Sequence, residues 1–204
     1  MLEIIKLGGP VMIPLLLCSV FALAIGIERL WYLLRCRIDT EELMEEVSLS
    51  LGQGKLLEAM QIAKKARGPV AAVLAAGIAH YDKDPETISK HMQVVGEQEV
   101  FKMERRLGIL EMISMISPLL GILGTVTGII QSFNVLSALE GVGHAGALSA
   151  GIAEALITTA AGLIIAIPTV ALNAYLNGIV NAQVAELNRR SNQILDLLTA
   201  RGEV

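Results

Sequence analysis

The chain is a succession of long uncharged runs interrupted by one segment in which charge returns. Val11 to Ile27 contains no Asp, Glu, Lys or Arg, and the apolar run resumes after Glu28-Arg29 to end at Leu34. Met112 to Leu139 is 28 residues free of those four types, and Ala155 to Ala185 is another 31, preceded by the lone Glu154. About 20 apolar residues cross the hydrocarbon core of a bilayer, so each run suffices for a span, and the last two must tilt or extend beyond the lipid. The short loop Glu140-Gly141-Val142-Gly143-His144-Ala145-Gly146 follows the second run and makes the two an antiparallel pair.

Between the first and second runs, helix signals recur. Asp39 precedes a glutamate-rich turn, Gly52, Gly54 and Gly68-Pro69 are breaks, and Asp84-Pro85-Glu86 is a helix start. There a carboxylate caps free N–H groups and proline tolerates the first turn. The pattern predicts an all-α membrane protein with three transmembrane helices and long cytoplasmic helical extensions. Residues 1–35 form a short outer N-terminus and the first span. Residues 36–108 form a cytoplasmic domain of three or four amphipathic helices, the last from about Asp84 to Arg106 and able to run on unbroken into the second span. Residues 109–180 form the hairpin of the second and third spans, and 181–204 a cytoplasmic C-terminal helix.

Composition supports this picture. Hydrophobic residues make up 53%, aromatics 3%, and mean hydropathy is +0.60, too apolar for an ordinary soluble domain. Ala22-Leu23-Ala24 resembles a signal-peptide cleavage site, but Lys6 is offset by Glu3 and the basic residues Arg35 and Arg37 follow the apolar run. That order indicates a retained anchor. Arg29 is long enough to snorkel to the interface, where Trp31 and Tyr32 suit the aromatic belt. One basic residue precedes the first span, twelve lie between 29 and 108, none lies in the 137–150 loop and three follow residue 186. Positive charge marks the cytoplasmic side, so the middle segment and C-terminus are expected inside, the N-terminus and hairpin loop outside. A net charge of −4 without a basic face gives no footprint for nucleic acid. Cys18 and Cys36 suggest neither a disulfide framework nor a metal site, only small buried or interfacial thiols.

Candidate chemistry lies in the hairpin. At about 100° per residue, Ser114, Pro118, Gly121, Gly128 and Ser132 fall within about 60° of Thr125, whereas Leu119, Leu123, Val126, Ile130 and Phe133 lie elsewhere. Around Thr159, the residues Ala155, Gly162, Ala166, Asn173 and Asn177 gather in the same way. Small residues and Gly124-x-x-x-Gly128 also serve plain helix packing in lipid, the blander reading of any one Ser or Thr. Two facing small-polar stripes point further, because a polar face in lipid must meet protein, water or a partner. Three spans enclose little, so an oligomer presenting the stripes inward is implied. Glu154 either sits wet at the outer interface or has a function. It stands about 140° from Thr159, so it faces a neighbouring helix or side crevice, on Thr158's side. His144 in the loop could titrate near neutrality, and His80 and His91 look like surface residues. No nucleophile–base pair, nucleotide-binding glycine loop or metal-ligand spacing is visible, so no enzyme activity, metal or cofactor is expected.

The segments Ser117-Pro118-Leu119-Leu120-Gly121-Ile122-Leu123-Gly124-Thr125-Val126-Thr127-Gly128-Ile129 and Gly151-Ile152-Ala153-Glu154-Ala155-Leu156-Ile157-Thr158-Thr159-Ala160-Ala161-Gly162, followed by Ala166-Ile167-Pro168, resemble the TolQ/ExbB/MotA proton-channel family, nearest its TolQ/ExbB branch. The resemblance implies a proton-channel subunit at the bacterial inner membrane that couples the proton motive force to work on the cell envelope. It further implies a pentamer around an ExbD/TolR-type single-span partner with a membrane Asp, a TonB- or TolA-type protein beyond it, and protons as the transported species. Thr125 and Thr159 would be pore-lining threonines and Glu154 the family's third-span glutamate. Ser114, Pro118, Gly121, Gly128, Ser132, Gly162, Ala166 and Asn173 would support that stripe. The family's Tyr-Asn after Ala-Ile-Pro is not reproduced, since Asn173 and Asn177 flank Ala174-Tyr175-Leu176. Three spans argue against a flagellar MotA-type stator, and the short outer segment leaves TonB-linked uptake, a Tol-type system and a gliding-type motor as alternatives. A structural scaffold that passes no ions is the alternative of a different class.

Overall fold

The computed structural model describes residues 8–36, 38–138 and 145–202, all in helices, turns and short connections with no strand among them. Seven helices run in chain order among these residues: α1 (Met12–Arg35), α2 (Thr40–Gly52), α3 (Leu56–Lys65), α4 (Pro69–Ala79), α5 (Pro85–Glu104), α6 (Leu107–Ala138) and α7 (Ala145–Gly202). Three of the helical segments are long and apolar enough to cross a membrane. The expected loop residues Glu140 to His144 lie outside the described residues.

Two compact units are distinguished along the chain. One comprises residues up to Arg29 together with Arg106–Tyr175, the other Leu30–Arg105 together with the chain from Leu176. In the first, α6 from Ser114 onward and the first half of α7 expose large aliphatic side chains on one side and bury small ones on the other, while α1 buries Met12, Leu15 and Ala22. Leu119, Ile122, Leu123, Val126, Ile129, Ile130 and Phe133 of α6 are exposed, while Ser117 and Ser132 are buried. α7 repeats the division, with Leu156, Ile164 and Ile167 outside and Ala155, Thr158 and Ala166 inside. Exposed aliphatic surface of this extent suits lipid, and the small residues let helix backbones approach.

The helix from Asp84 does not run on into the second span. It stops at Glu104, and Arg106 takes a left-handed backbone (φ 68°) before α6 begins. An L-residue other than Gly rarely adopts this conformation, so something must hold it. The Arg106 guanidinium reaches Glu28 at 3.2 Å, and Glu28 also accepts from Arg29 Nε at 2.7 Å. Arg29 is therefore 5% exposed and paired at the end of the first span instead of snorkelling outward.

The second unit owes its order to local signals. Asp39 accepts from the backbone N–H of Glu41 (3.0 Å) and Glu42 (3.2 Å), and Asp84 accepts from that of Thr87 (2.9 Å), capping α2 and α5 as their sequences suggest. Gly68 (φ 107°) turns the chain into α4, and a Cβ there would lie 2.8 Å from the Cys36 carbonyl oxygen. The core gathers Val47, Leu51, Val73, Leu74, Ile88, Met92, Leu187 and Ile194. Each such aliphatic side chain stabilises the fold by roughly 1.5–3 kcal/mol on burial. Polar ties complete the unit. Gln183 Nε2 donates to the Leu33 carbonyl (3.1 Å) in the last turn of α1. Thr40 Oγ1 donates to Glu186 (2.8 Å), which also holds the buried Arg190 (2.6 Å). His80 and His91, read from sequence as surface residues, stack with ring centroids 3.9 Å apart, joining the end of α4 to α5. α7 continues without a break across residue 180.

Candidate functional site

The site grows from the register of α6 against α7. Glycines on one helix face backbone or small side chains on the other. A Cβ on Gly121 would lie 3.1 Å from the Thr158 carbonyl oxygen and from Thr159 Cα, one on Gly128 would lie 3.2 Å from Ala155 Cβ and Gly151 O, and one on Gly162 would lie 2.6 Å from the Ser117 carbonyl oxygen. As the α6 numbers rise, their α7 partners fall, so the pair is antiparallel as the short connection requires. Gly124 packs on the buried Thr158 side chain, and Gly151 on Ser132.

This close approach brings Thr125 and Thr159 together. Their hydroxyls hydrogen-bond each other. Thr159 Oγ1 also donates to the Gly121 carbonyl at 3.1 Å, and Thr125 Oγ1 lies 3.2 Å from both the Gly121 and Ala155 carbonyl oxygens. Thr158 Oγ1 donates to Ala155 O at 2.8 Å. Two hydroxyls carry two protons, while this cluster offers them two carbonyls and each other as acceptors. Thr125 and Thr159 can therefore exchange which partner each one donates to without either losing a bond. Both remain half-buried, so the cluster is reachable from outside the chain.

The other stripe residues fall into distinct positions. Gly121, Gly128 and Gly162 form the α6–α7 contact itself, and Ala166 is buried. Ser114 Oγ donates to Glu111 O (2.7 Å) and Ser132 Oγ to Gly128 O (2.8 Å), each within its own helix. Pro118, inside α6, is half-buried. Asn173 is half-buried, and its Oδ1 is enclosed without a hydrogen-bond partner among the described residues. Glu154 lies apart from the threonines, with its carboxylate against Gly9 in the turn before α1. Gly9 was not singled out from the sequence; a Gly8-Gly9 pair immediately before a span was the available signal. Ser117, fully buried with Oγ donating to Ile113 O (2.7 Å), was noted only as part of the motif. Its carbonyl marks the tightest approach to Gly162. Among the described residues, no group of three or more His, Cys, Asp or Glu side chains is arranged to hold a metal ion.

Comparison with known proteins agrees with this architecture. The model of the MotA/TolQ/ExbB proton channel family matches residues 65–189. The chain is 41% identical over 163 residues to a putative biopolymer transport protein, ExbB-like 1, of Synechocystis, covering 78% of this chain and 64% of that protein. It is 29% identical over 196 residues to the biopolymer transport protein exbB1 of Vibrio cholerae, covering 89% and 81%. A Tol-Pal system protein TolQ of Pseudomonas aeruginosa is 41% identical over 85 residues, 42% of this chain and 36% of that one. The chain spans about two thirds of the Synechocystis relative and of a Methanothermobacter thermautotrophicus ExbB homolog (64% and 66%). With the matched region covering both glycine-threonine segments together with α4 and α5, the chain is a multi-pass membrane protein that belongs to the MotA/TolQ/ExbB proton channel family, on its TolQ/ExbB side.

Proposed function

We propose that this chain is the wall-forming subunit of a proton-driven envelope motor or channel. Several copies, five by family resemblance, surround an ExbD/TolR-type single-span partner whose membrane aspartate takes up and releases protons. Residues 36–108 and the end of α7 face the cytoplasm, and the N-terminus and hairpin loop face outward, because the basic residues concentrate in the former segments. The work is done on the cell envelope through a TonB- or TolA-type protein.

The observation that carries this reading is the half-buried cluster of the Thr125 and Thr159 hydroxyls with the Gly121 and Ala155 carbonyls. It offers donors and acceptors beside an otherwise aliphatic wall, in an arrangement that can take a partner carboxyl in either protonation state. The scaffold reading draws on the glycine contacts, which pack well without any ion passing. Thr125→Val, Thr159→Val and Glu154→Ala separate the two. On the channel reading, each variant still assembles with the partner while proton flux and proton-driven work are lost. Full flux and work in all three would leave the scaffold reading standing.

A further inference from the structure

Glu154 has a neighbour that the proton-path reading leaves unused. Its carboxylate is seated on the backbone of Gly9, so closely that a Cβ at Gly9 would collide with Oε1 and lie 3.1 Å from Cδ. Gly9 has φ +65°, a backbone that side-chain-bearing residues rarely adopt. Gly8 packs on the same strip of α7, since a Cβ there would lie 3.5 Å from Ile157 Cγ2. Glu154 and Ile157 are three residues apart and share a helix face. Ala155 and Thr158, on the adjoining face, belong to the α6 contact. The Gly8-Gly9 turn therefore rides over the α1-facing strip of α7, which Gly26 of α1 meets again at Leu172.

We propose that Gly9 is a positioning residue for Glu154: its missing side chain and left-handed backbone form the seat that holds this carboxylate on the α1 side of α7, away from the Thr125–Thr159 cluster. This rests on Glu154 taking part in proton-driven work. A carboxylate close to lipid is costly unless its surroundings fix where it sits. A glycine lets the polar peptide backbone come nearer to it than any other residue does.

The experiment uses the full chain with its co-expressed partner, reading assembly by co-purification and function by proton flux in reconstituted vesicles. Gly9→Ala and Gly9→Asn both place a Cβ in the carboxylate's space, but asparagine tolerates a left-handed backbone. Both are expected to lose flux several-fold. Adding Glu154→Asp, which draws the carboxylate back by one methylene, is expected to restore most of that loss, including any loss of assembly. Gly9→Asn with full flux overturns the proposal, as does failure of Glu154→Asp to restore either glycine variant. Glu154→Ala is run beside them. If it alone retains full flux, the role of Glu154 is refuted and the positioning with it; if it is inactive while Gly9→Asn is fully active, only the positioning falls.

Discussion

Replacing Gly162 by alanine inserts a methyl group where the two antiparallel helices are closest. The new Cβ would lie 2.6 Å from the Ser117 carbonyl oxygen, 3.1 Å from Gly121 Cα and 3.3 Å from Gly121 N. All three are backbone atoms, so no side chain can swing aside and the helices must separate. Overpacking of this kind costs typically 1–3 kcal/mol. Separation also stretches two interhelical hydrogen bonds, Thr159 to the Gly121 carbonyl and Thr125 to Thr159. At about 0.6 kcal/mol for each such bond in a membrane protein, the expected total is roughly 2–4 kcal/mol. Gly178 is the control, because a Cβ there meets nothing within 4 Å. Its change to alanine should be neutral or gain up to about 1 kcal/mol from helix propensity. SDS-titrated unfolding in mixed micelles, followed by circular dichroism, measures both variants against the unaltered chain. Equal stability of Gly162→Ala and Gly178→Ala would refute the register described for α6 and α7.

Two further outcomes test the second unit. Glu186→Ala removes the carboxylate that joins Thr40 to the buried Arg190 and should cost roughly 1.5–3 kcal/mol, the range for a hydrogen bond to a charged group. Amide exchange over residues 40–52 should rise, and unchanged exchange would show that the tie is not stabilising. The Asp84 carboxyl is held below its ordinary value, first by the Thr87 backbone N–H and then by the Thr87 hydroxyl. A depressed folded value means that the cap's contribution is present above the ordinary aspartate range and is lost as pH falls through the folded value. Protection of the Thr87 amide should therefore persist at neutral and mildly acidic pH and disappear below the ordinary range. Loss of protection already near neutrality would contradict it.

What was legible in the sequence was whatever depends on near neighbours or on helical period. The spans, the Asp39 and Asp84 caps and the small-polar stripes all follow from such short-range rules. The break at Arg106 was not legible, because no Gly or Pro marks it. Its left-handed backbone is accompanied by an ion pair to Glu28, far away along the chain. Arg29 misled for a related reason, since snorkelling is the default for a long cation near an interface and its burial depends on tertiary partners. The stripes foretold two polar faces, but their register depends on which glycine meets which carbonyl. That is a property of the packed pair, not of either helix. The seat of Glu154 was hidden similarly, as the turn at Gly9 is not fixed by composition.

The threonine cluster is complete before any visitor arrives. Each of its hydroxyls already has a partner within the chain, so an isolated subunit in lipid carries no exposed, unmatched donor there. On the proposed reading, an incoming carboxylate accepts a hydrogen bond from a hydroxyl here only by displacing a bond that the cluster already makes. Its residence is a trade of near-equals, governed by which of several similar pairings prevails at the moment. Such a place cannot act as a deep well. On the proposed reading it would suit passing a visitor on, because arrival and departure would run through the same exchange and the hydroxyls would pair again behind each one.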